Sequence, residues 1–411
     1  MLVENLSVPA DPRVWREACT LRRSGYEVSV ICPKGETRDQ ESYACIEDIH
    51  IYRYRLPSTS NALSGYIKEY CVAMLKTFLL SLKVLVHHGF DVIHAANPPD
   101  IFFVIGLFYR LLGKRYIFDQ HDLAPEMFHV RFQQRMKPLY KLLLFLERCS
   151  YSTAQVVITT NSSQKRQALG RGGCVPAKVF IVRNGPDVAR FVPSVQESTL
   201  KQERRYLLAY IGVMGIQDGI EYALLALDEL VHKRGRQDIA LVLMGDGDQL
   251  MTLKTLTQQL QLDEHVNFRG WVAFADMVRY LTVADIGLSP DPSNELNDQS
   301  TMLKTMEYMA MGKPVVAFDL PETRFSAQEA ALYATPNSVD EFANHIETLL
   351  DNEELRHTMG TFGRKRVEEE LCWDHTKYHL LLAYQALFPD RIASQTESND
   401  TIVPPIPILQ Q

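Results

Sequence analysis

Residues 296–319, LNDQSTMLKTMEYMAMGKPVVAFD, contain a loop, a short helix, a helix stop and a buried strand in immediate succession. Ser300 and Thr301 are good N-cap residues, residues 302–311 keep a helical period, and Gly312 is a typical residue for ending a helix. The apolar run that follows predicts a buried strand. Because the first amides of a helix lack internal partners and lie at the positive end of its dipole, the helix start predicts a diphosphate site.

Two side chains of the predicted helix extend this site. Lys304 lies one turn inside the helix, and Glu307 lies two turns from Ser300 on the same side. An ammonium and a carboxylate in these positions can face one ligand, and the carboxylate can hold a ribose diol. The alternative is a Glu–Lys pair on the surface of an amphipathic helix, and the two interpretations stay open at this point.

Length and charge limit the organisation of the chain. With 411 residues and 46% hydrophobic content it can form two substantial cores, and we expect two domains. Residues 1–190 carry a net charge of +8 and residues 191–411 one of −15, which together give −7. The basic half indicates an anionic partner such as a membrane leaflet or a lipid phosphate, although uneven surface solvation is the alternative. We expect no nucleic-acid partner.

The cysteines and the apolar stretches indicate a cytoplasmic protein. None of the seven cysteines stands in a C-x-x-C pair, and the first fifteen residues lack the pattern of a signal peptide. The apolar stretches 77–86 and 101–112 are too short for a membrane span of ~20 residues. Residues 132–148 mix cations with leucines, which indicates peripheral contact with the inner face of the membrane or, alternatively, a core helix with a cationic outer face.

Short apolar runs alternate with helical patterns along the whole chain, which is typical of doubly wound parallel sheets. We expect one such domain in residues 1–190 and a second in residues 206–372, with ligand between them at the carboxyl ends of the strands. We expect a helix over 373–388 and a disordered tail over 389–411, which is rich in Ser, Thr, Asn and Pro. The predicted strands are 26–32, 49–53, 92–95, 115–119, 156–160, 179–183, 206–211, 239–244, 266–269, 286–289 and 314–318.

Segments along most of the chain resemble those of the retaining glycosyltransferases of family four. The similar segments of the first half include DPRVWREACTLRRSGYEVSVICP, DVIHAANPPD, FDQHDLAPE and TTNSSQKRQAL. Those of the second half include VFIVRNGPD, YIGVMGIQDGIEYALLAL, LVLMGDGDQL and the segment 296–319. The resemblance implies the α/β GT-B fold, with an N-terminal acceptor domain, a C-terminal nucleotide-sugar domain, a central cleft between them and a last helix that crosses back.

The resemblance also implies roles on the donor side of the cleft. Glu307 matches the glutamate that binds the nucleotide ribose. Gln299 stands where family members have the glutamate that holds hydroxyls of the transferred sugar. The amide still accepts and donates hydrogen bonds, but it stabilises positive charge on the sugar less well. The amides of Met214 and Gly215, in the turn GVMGIQDG, and those of Ser300 and Thr301 are the expected diphosphate ligands.

Two expected phosphate-binding cations are absent from that turn. Many family members carry an arginine and a lysine where this chain has Val213 and Asp218. The loss of two charged contacts of ~1.5–3 kcal/mol each would severely weaken donor binding unless another cation compensates. Lys304 is the predicted replacement. The other candidates are Arg269, Arg13 and Arg183.

The acceptor side is expected to use the ends of the first-half strands. Arg13 would bind an anionic acceptor or pair with Asp11. His121 would contact the sugar or an acceptor hydroxyl, with Asn97 lining the same space; alternatively, His121 is bonded to Asp122 and only orders the loop.

The implied activity is transfer of a sugar, with retention of configuration, from a nucleotide-diphosphate donor to a polysaccharide or lipid-linked acceptor. The nucleotide sugar is a substrate, and we expect no cofactor and no metal. Two alternatives are a non-catalytic subunit of the same fold that binds a partner transferase or a membrane, and a nucleotide-sugar epimerase. The epimerase would require acid–base carboxylates in the cleft, and the sequence offers no convincing set.

Overall fold

The computed structural model describes residues 1–35, 38–57, 63–132, 137–195, 197–201 and 203–388. The tail 389–411, predicted to be disordered, and residues 133–136 of the predicted amphipathic segment lie outside the described residues.

Within the described residues, seven strands and six α-helices precede residue 190. The strands are β1 (Ser29–Pro33), β2 (Tyr43–Ile46), β3 (Ile49–Tyr54), β4 (Val92–Ala96), β5 (Arg115–Gln120), β6 (Val156–Thr159) and β7 (Val179–Ile181). The helices are α1 (Pro12–Arg23), α2 (Leu63–His87), α3 (Phe103–Leu111), α4 (Ala124–Phe132), α5 (Lys137–Thr153) and α6 (Ser162–Leu169).

The strands of the N-terminal domain form two groups, ordered β1-β3-β2 and β4-β5-β6-β7. Leu2 joins them, because it makes parallel bridges to Ile31 of β1 and to Ala95 of β4. The chain order therefore reverses at Leu2. The reversal point of such a sheet is where ligands bind in doubly wound folds. The loop after Leu2 and the loop after β4 both start there.

The C-terminal domain is a six-stranded parallel sheet. Its strands are β8 (Tyr206–Ile211), β9 (Ile239–Met244), β10 (Val266–Gly270), β11 (Ile286–Ser289), β12 (Val315–Phe318) and β13 (Ala331–Ala334). Its helices are α7 (Ile220–Asp228), α8 (Leu250–Gln259), α9 (Phe274–Val283), α10 (Leu303–Ala310), α11 (Pro321–Ala327), α12 (Val339–Asp351) and α13 (Glu353–Arg366). The strand order β10-β9-β8-β11-β12-β13 reverses between β8 and β11. The turn after β8 and the segment before α10 therefore meet at the reversal point.

The last described helix, α14 (Trp373–Gln385), packs on the N-terminal domain. Trp373 Nε1 donates to Thr20 Oγ1 at 2.9 Å, and the Tyr384 hydroxyl contacts His94 Nδ1 at 2.9 Å. The predicted crossover helix and the two doubly wound sheets are thereby confirmed. The domain boundaries at residues 190 and 206 stay predictions.

One helix is longer and more apolar than the sequence interpretation allowed. Within α2, residues Lys68–His87 are long and apolar enough to cross a membrane by length and composition alone, and 22% of that window is buried. The helix contacts β1 and β3 and buries the hydroxyls of Thr77 and Ser81. In the structure it therefore packs as a helix of the N-terminal domain.

Candidate active site in the cleft

The start of α10 differs from the predicted cap. The N-cap is Met302, and no side chain caps the helix. Ser300 Oγ donates to the carbonyl of Leu296, while Thr301 Oγ1 accepts from Asn161 Nδ2 of the N-terminal domain. The predicted cap by Ser300 and Thr301 was therefore wrong, because both hydroxyls have other partners. The helix stop was correct, since Gly312 has a φ of +65° directly after the C-cap.

Four consecutive backbone amides are nevertheless open at this helix start. The amide of Ser300 donates to Asn297 O, but those of residues 301–304 make no hydrogen bond within the part of the chain that the structure describes. They lie at the positive end of an eight-residue helix. This is the geometry that binds a phosphate group through backbone N–H donors.

Glu307 lies one turn further along α10. Its side chain is half-buried and makes no hydrogen bond with a described residue. Burial raises the pKa of Glu307, while the positive charges of Arg16 and Lys304 oppose that shift. Arg16 belongs to α1 of the N-terminal domain, so its charge acts on Glu307 from the other domain, while its guanidinium donates to Gly185 O and Asn184 Oδ1. No local pattern in the sequence marked Arg16 for this site.

Lys304 is engaged by two carboxylates. Its Nζ lies 2.5 Å from Asp291 Oδ1 and 3.6 Å from Asp218 Oδ1, and the side chain is 8% exposed. It is therefore neither the surface partner of Glu307 nor a free replacement for the missing cations, which corrects both sequence interpretations. Burial is the main cause that raises the pKa of Asp218 to about 6, with Lys304 opposing it.

The turn after β8 also uses its amides internally. Met214 N donates to Asp246 O at 2.9 Å, and Gly215 N donates to Asp218 Oδ2 at 3.1 Å. The prediction that these two amides bind phosphate was wrong for the conformation observed. Asp218 is the reason, because its carboxylate caps the turn from within. Val213, by contrast, is exposed.

Arg269 is exposed at the end of β10, with its guanidinium 5.6 Å from the ring centre of Tyr280. Because β10 is an edge strand two places from β8, strand spacing puts it ~10 Å from the reversal point. Arg183 is held by Glu322 at 3.3 Å. The contacts of these two arginines give no reason to assign either of them to the diphosphate, so their role there stays a prediction.

Arg13 is buried and structural. Its guanidinium donates to Val182 O at 2.9 Å and to Asp119 Oδ1 at 3.0 Å, and it lies 3.1 Å from Glu17. Asp11 accepts from the amides of Arg13 and Val14 and so caps α1. Both side chains therefore hold the fold, and the predicted contact of Arg13 with an acceptor was wrong.

Asn97 has no capacity left for a ligand. Its Oδ1 accepts from the amides of His121 and Asp122, and its Nδ2 donates to Asp100 Oδ1 and to Asp122 O. These four bonds saturate the carboxamide. Asn97 orders the loop that carries His121, and because its carboxamide is fully used within the protein it does not suit the predicted contact with the reacting sugar.

His121 reaches the cleft from a buried charge cluster. Its Nε2 lies 2.6 Å from Asp119 Oδ2, so the partner is Asp119 and not Asp122. Burial lowers the pKa of His121, but Asp119 outweighs it and the net direction is upward. Asp122, whose pKa burial raises, has its backbone in the Asn97 network. Since 16% of the His121 side chain is exposed, it is the charged group of this cluster that can meet a ligand.

The cluster around Asp119 extends inward to Glu17 and His94. The ligand atoms of Glu17, His94 and Asp119 lie within 4.8 Å of one another, a spacing that suits a metal ion. Arg13 already contacts both carboxylates and supplies the positive charge there. The donor set therefore does not fit an additional cation.

Gln299 connects the two domains. Its Oε1 accepts from Gln167 Nε2 of α6 at 2.6 Å, its Nε2 donates to Glu295 O, and its carbonyl accepts from Asn161 Nδ2. A second bridge joins Glu322 to the amide and hydroxyl of Ser163. One amide hydrogen of Gln299 stays available for a sugar hydroxyl.

The comparisons with known proteins cover both domains. Two family models match the chain, Glycosyltransferase Family 4 over residues 13–190 and Glycosyl transferases group 1 over residues 205–352. Chitobiosyldiphosphodolichol beta-mannosyltransferase of Debaryomyces hansenii is 23% identical over 75% of this chain and 70% of that protein.

Two solved structures show the same fold at low sequence identity. Sucrose-phosphate synthase from Thermosynechococcus elongatus has a TM-score of 0.76 and 18% identity, covering 95% of this chain and 96% of that chain. Anabaena HepE in complex with UDP has a TM-score of 0.69 and 17% identity, covering 97% of this chain and 99% of that chain. With two doubly wound domains, a crossover helix and family models that match each domain, the chain is a glycosyltransferase of family 4 with the GT-B fold.

Proposed function

We propose that this glycosyltransferase moves a hexose-type sugar from a nucleotide-diphosphate donor to a polysaccharide or lipid-linked acceptor, with retention of configuration. The observation that carries the proposal is the start of α10, where the amides of residues 301–304 and the carboxylate of Glu307 make no hydrogen bond to any described residue. Amides and helix dipole suit a diphosphate, and a carboxylate one turn further along suits the two hydroxyls of a ribose.

The names of similar proteins support both substrates. HepE of Anabaena has been solved with UDP and with UDP-glucose. The Debaryomyces relative is named for a dolichol-linked acceptor. A relative from Corynebacterium glutamicum, 27% identical over 46% of this chain, is named for a GDP-mannose donor and a phosphatidylinositol acceptor. Since UDP and GDP both occur among them, the base of the donor is a matter for experiment.

The proposed reaction asks little of acid–base side chains. In a front-face transfer the departing diphosphate oxygen accepts the proton of the acceptor hydroxyl, so the protein mainly orients the substrates and stabilises the leaving group. The amides of residues 301–304 would hold the departing diphosphate. His121, whose pKa Asp119 raises against the effect of burial, would donate to a sugar hydroxyl. Gln299 would offer its remaining N–H to the same sugar.

A non-catalytic binding subunit is the second candidate. Asp218 occupies the amide of Gly215 and contacts Lys304, so the turn that would bind diphosphate is closed by the protein's own carboxylate. This observation favours a protein that has kept the fold of the family but no longer binds a nucleotide-sugar donor.

Two measurements test these candidates. Calorimetry with UDP and GDP should show binding, and Glu307→Ala should weaken it by ~1.5–3 kcal/mol, the range for a charged hydrogen-bond partner. Glu354→Ala, which removes an exposed glutamate from α13, is the matched control and should bind as the unchanged protein does.

The stereochemistry requires a separate experiment. The anomeric configuration of the product, measured by NMR, should equal that of the donor. This is a real test, because the Debaryomyces relative is named for a β linkage. A product of inverted configuration would contradict retention but would leave the transferase activity established. If neither UDP nor GDP binds, the non-catalytic subunit is favoured.

A further inference from the structure

The start of α6 in the N-terminal domain is a polar turn that is buried. Asn161, Ser163 and Gln164 are at most 3% exposed, although all three side chains carry polar atoms. Such groups are costly to bury unless they are hydrogen-bonded. All three have partners, and those of Asn161 and Ser163 include residues of the C-terminal domain. This turn is therefore covered by the opposite side of the cleft.

Asn161 has two separate roles at this turn. Its Oδ1 accepts from the amide of Gln164 at 2.8 Å and so caps α6. Its Nδ2 donates across the cleft to Gln299 O at 2.9 Å and to Thr301 Oγ1 at 3.1 Å. The cap needs only the oxygen of the side chain, whereas the bonds across the cleft need its nitrogen. A substitution can therefore separate the two roles.

The segment that receives these bonds lies directly before α10. Ser300 and Met302 have ψ angles of 139° and 101°, so this part of the chain is extended and not yet helical. The bond from Asn161 is the one hydrogen bond that Thr301 makes within the described residues. Asn161 thus binds the segment on both sides of Ser300. The amide of Thr301 is the first of the four open amides.

The same turn of α6 also holds the loop of His121. Gln164 Nε2 donates to His121 O at 3.2 Å. Hydrogen bonds therefore run from His121 through Gln164 and Asn161 to Thr301. This connects the group that would meet the sugar with the amides that would meet the diphosphate. A sugar diphosphate spans both, so its binding depends on their fixed separation.

We propose that Asn161 is a positioning residue of the donor site. It acts from the N-terminal domain and fixes residues 299–301 of the C-terminal domain, so that the open amides at the start of α10 face the diphosphate. The inference rests on the proposed function, because it takes the amides of residues 301–304 as the diphosphate ligands. It adds that docking of the two domains through α6 organises this site.

Asn161→Ser tests the role, because serine caps a helix about as well as asparagine but has no amide nitrogen to reach across the cleft. Calorimetry uses UDP or GDP, whichever the unchanged protein binds, and the corresponding nucleoside. We expect the affinity for the diphosphate to fall about three- to tenfold, the range for the loss of a neutral hydrogen bond. The affinity for the nucleoside should stay the same, because the nucleoside has no phosphate for these amides.

Asn352→Ser is the matched control. It makes the same substitution at the cap of α13, where Asn352 Oδ1 accepts from the amide of Leu355 at 2.9 Å. This variant should bind both ligands as the unchanged protein does. Thermal unfolding of both serine variants shows whether they fold.

Thr301→Val removes the acceptor on the other side of the cleft and keeps the shape of the side chain. It should lower the affinity for the diphosphate to a similar extent. Combined with Asn161→Ser, it should cause little further loss, because both substitutions break the same bond. If Asn161→Ser does not fold, Thr301→Val alone decides, since it leaves α6 and its cap unchanged.

The outcomes distinguish this inference from the proposed function. If neither UDP nor GDP binds the unchanged protein, the proposed function fails and the positioning role fails with it. If a diphosphate binds, but Asn161→Ser changes neither affinity or lowers both to the same extent, only the positioning role is overturned. Fully additive losses in the combined variant would overturn it as well, because the bond between Asn161 and Thr301 would not be their cause.

Discussion

The two sides of the cleft both bury a cation between two carboxylates, but they differ in what stays open to a ligand. In the N-terminal domain Arg13 is held by Asp119 and Glu17. In the C-terminal domain Lys304 is held by Asp291 and Asp218. Beside Arg13 the loop carboxamide of Asn97 is saturated, whereas beside Lys304 four amides of α10 are open.

The comparison separates charged side chains that stabilise the fold from groups that are free to bind a ligand. Both buried cations have full sets of carboxylate partners, so each is needed to neutralise its own cluster. On the donor side, the groups that can meet a ligand include the backbone amides of residues 301–304, Glu307 and the remaining amide hydrogen of Gln299. On the acceptor side, it is the exposed edge of His121. The sequence suggests Arg13 and Lys304 for anion binding, but in the fold both side chains are already paired with carboxylates of the protein itself.

The largest effect should come from breaking the Arg13 cluster. Arg13→Met leaves the carboxylate of Asp119 buried without the guanidinium that pairs with it, and we expect a loss of ~3–5 kcal/mol in the free energy of unfolding, measured by urea titration. Arg22→Met on the same helix is the control, because its pair with Asp48 is solvent-exposed and should contribute ~1 kcal/mol or less. Similar losses for the two variants would contradict a structural role for Arg13.

A smaller, pH-dependent effect should come from Glu17. Burial raises the pKa of Glu17 to about 8, with Asp119 adding to the shift. The folded state therefore keeps a proton that the unfolded chain releases near 4.5, and stability falls as the pH rises from about 4.5 to about 8. Glu17→Gln has no such proton, so its unfolding free energy should fall less over this range. Urea titrations across that range, with Glu27→Gln as the exposed control, measure the difference; parallel curves for Glu17→Gln and the unchanged protein would contradict it.

On the donor side, Lys304→Met should change the preference between ligands. Without Lys304 the carboxyl groups of Asp291 and Asp218 lose the cation they share near the start of α10, which should disfavour a diphosphate more than a neutral nucleoside. We expect UDP to lose ~1 kcal/mol or more in binding relative to uridine, on the scale of a charged interaction. Calorimetry with both ligands measures this, and equal losses would mean that Lys304 supports only the fold.

The strands of both sheets could largely be predicted from the sequence. The strands at 206–211, 239–244 and 286–289 match the structure at both ends, because central parallel strands are continuous apolar runs. Two strands were missed. The short hairpin strand β2 is largely exposed and turns at Glu47 and Asp48, both with positive φ, and β13 is a four-residue edge strand. Neither has a long apolar run.

The site was less predictable, because its side chains choose partners that are distant in sequence. Arg13 pairs with a carboxylate 106 positions away, and Thr301 accepts from Asn161, 140 positions away. Local patterns favoured Asp11 for the first and a helix cap for the second. The roles of Glu307 and Gln299 rest on the family resemblance, and they stay predictions.

The smallest expected effect tests whether the donor side still accepts the cation that many family members carry. Val213 is exposed in the turn after β8, and the hydroxyl of Tyr210 donates to its carbonyl. An arginine there has room to extend without displacing the Lys304 pairs. Val213→Arg should therefore tighten UDP binding by ~0.5–1 kcal/mol, the scale of an exposed charge near a helix start, and leave uridine binding unchanged.

Val86→Arg provides the comparison for this gain, because it adds the same charge at an exposed position on α2 of the N-terminal domain. Calorimetry at low and high salt should show that the gain belongs to Val213→Arg alone and shrinks as salt screens the new charge. If both variants bind UDP more tightly by the same amount, the effect comes from the net charge of the protein and not from the position of the arginine. Weaker UDP binding by Val213→Arg would mean that the diphosphate does not pass this turn, and would favour a donor held by α10 alone.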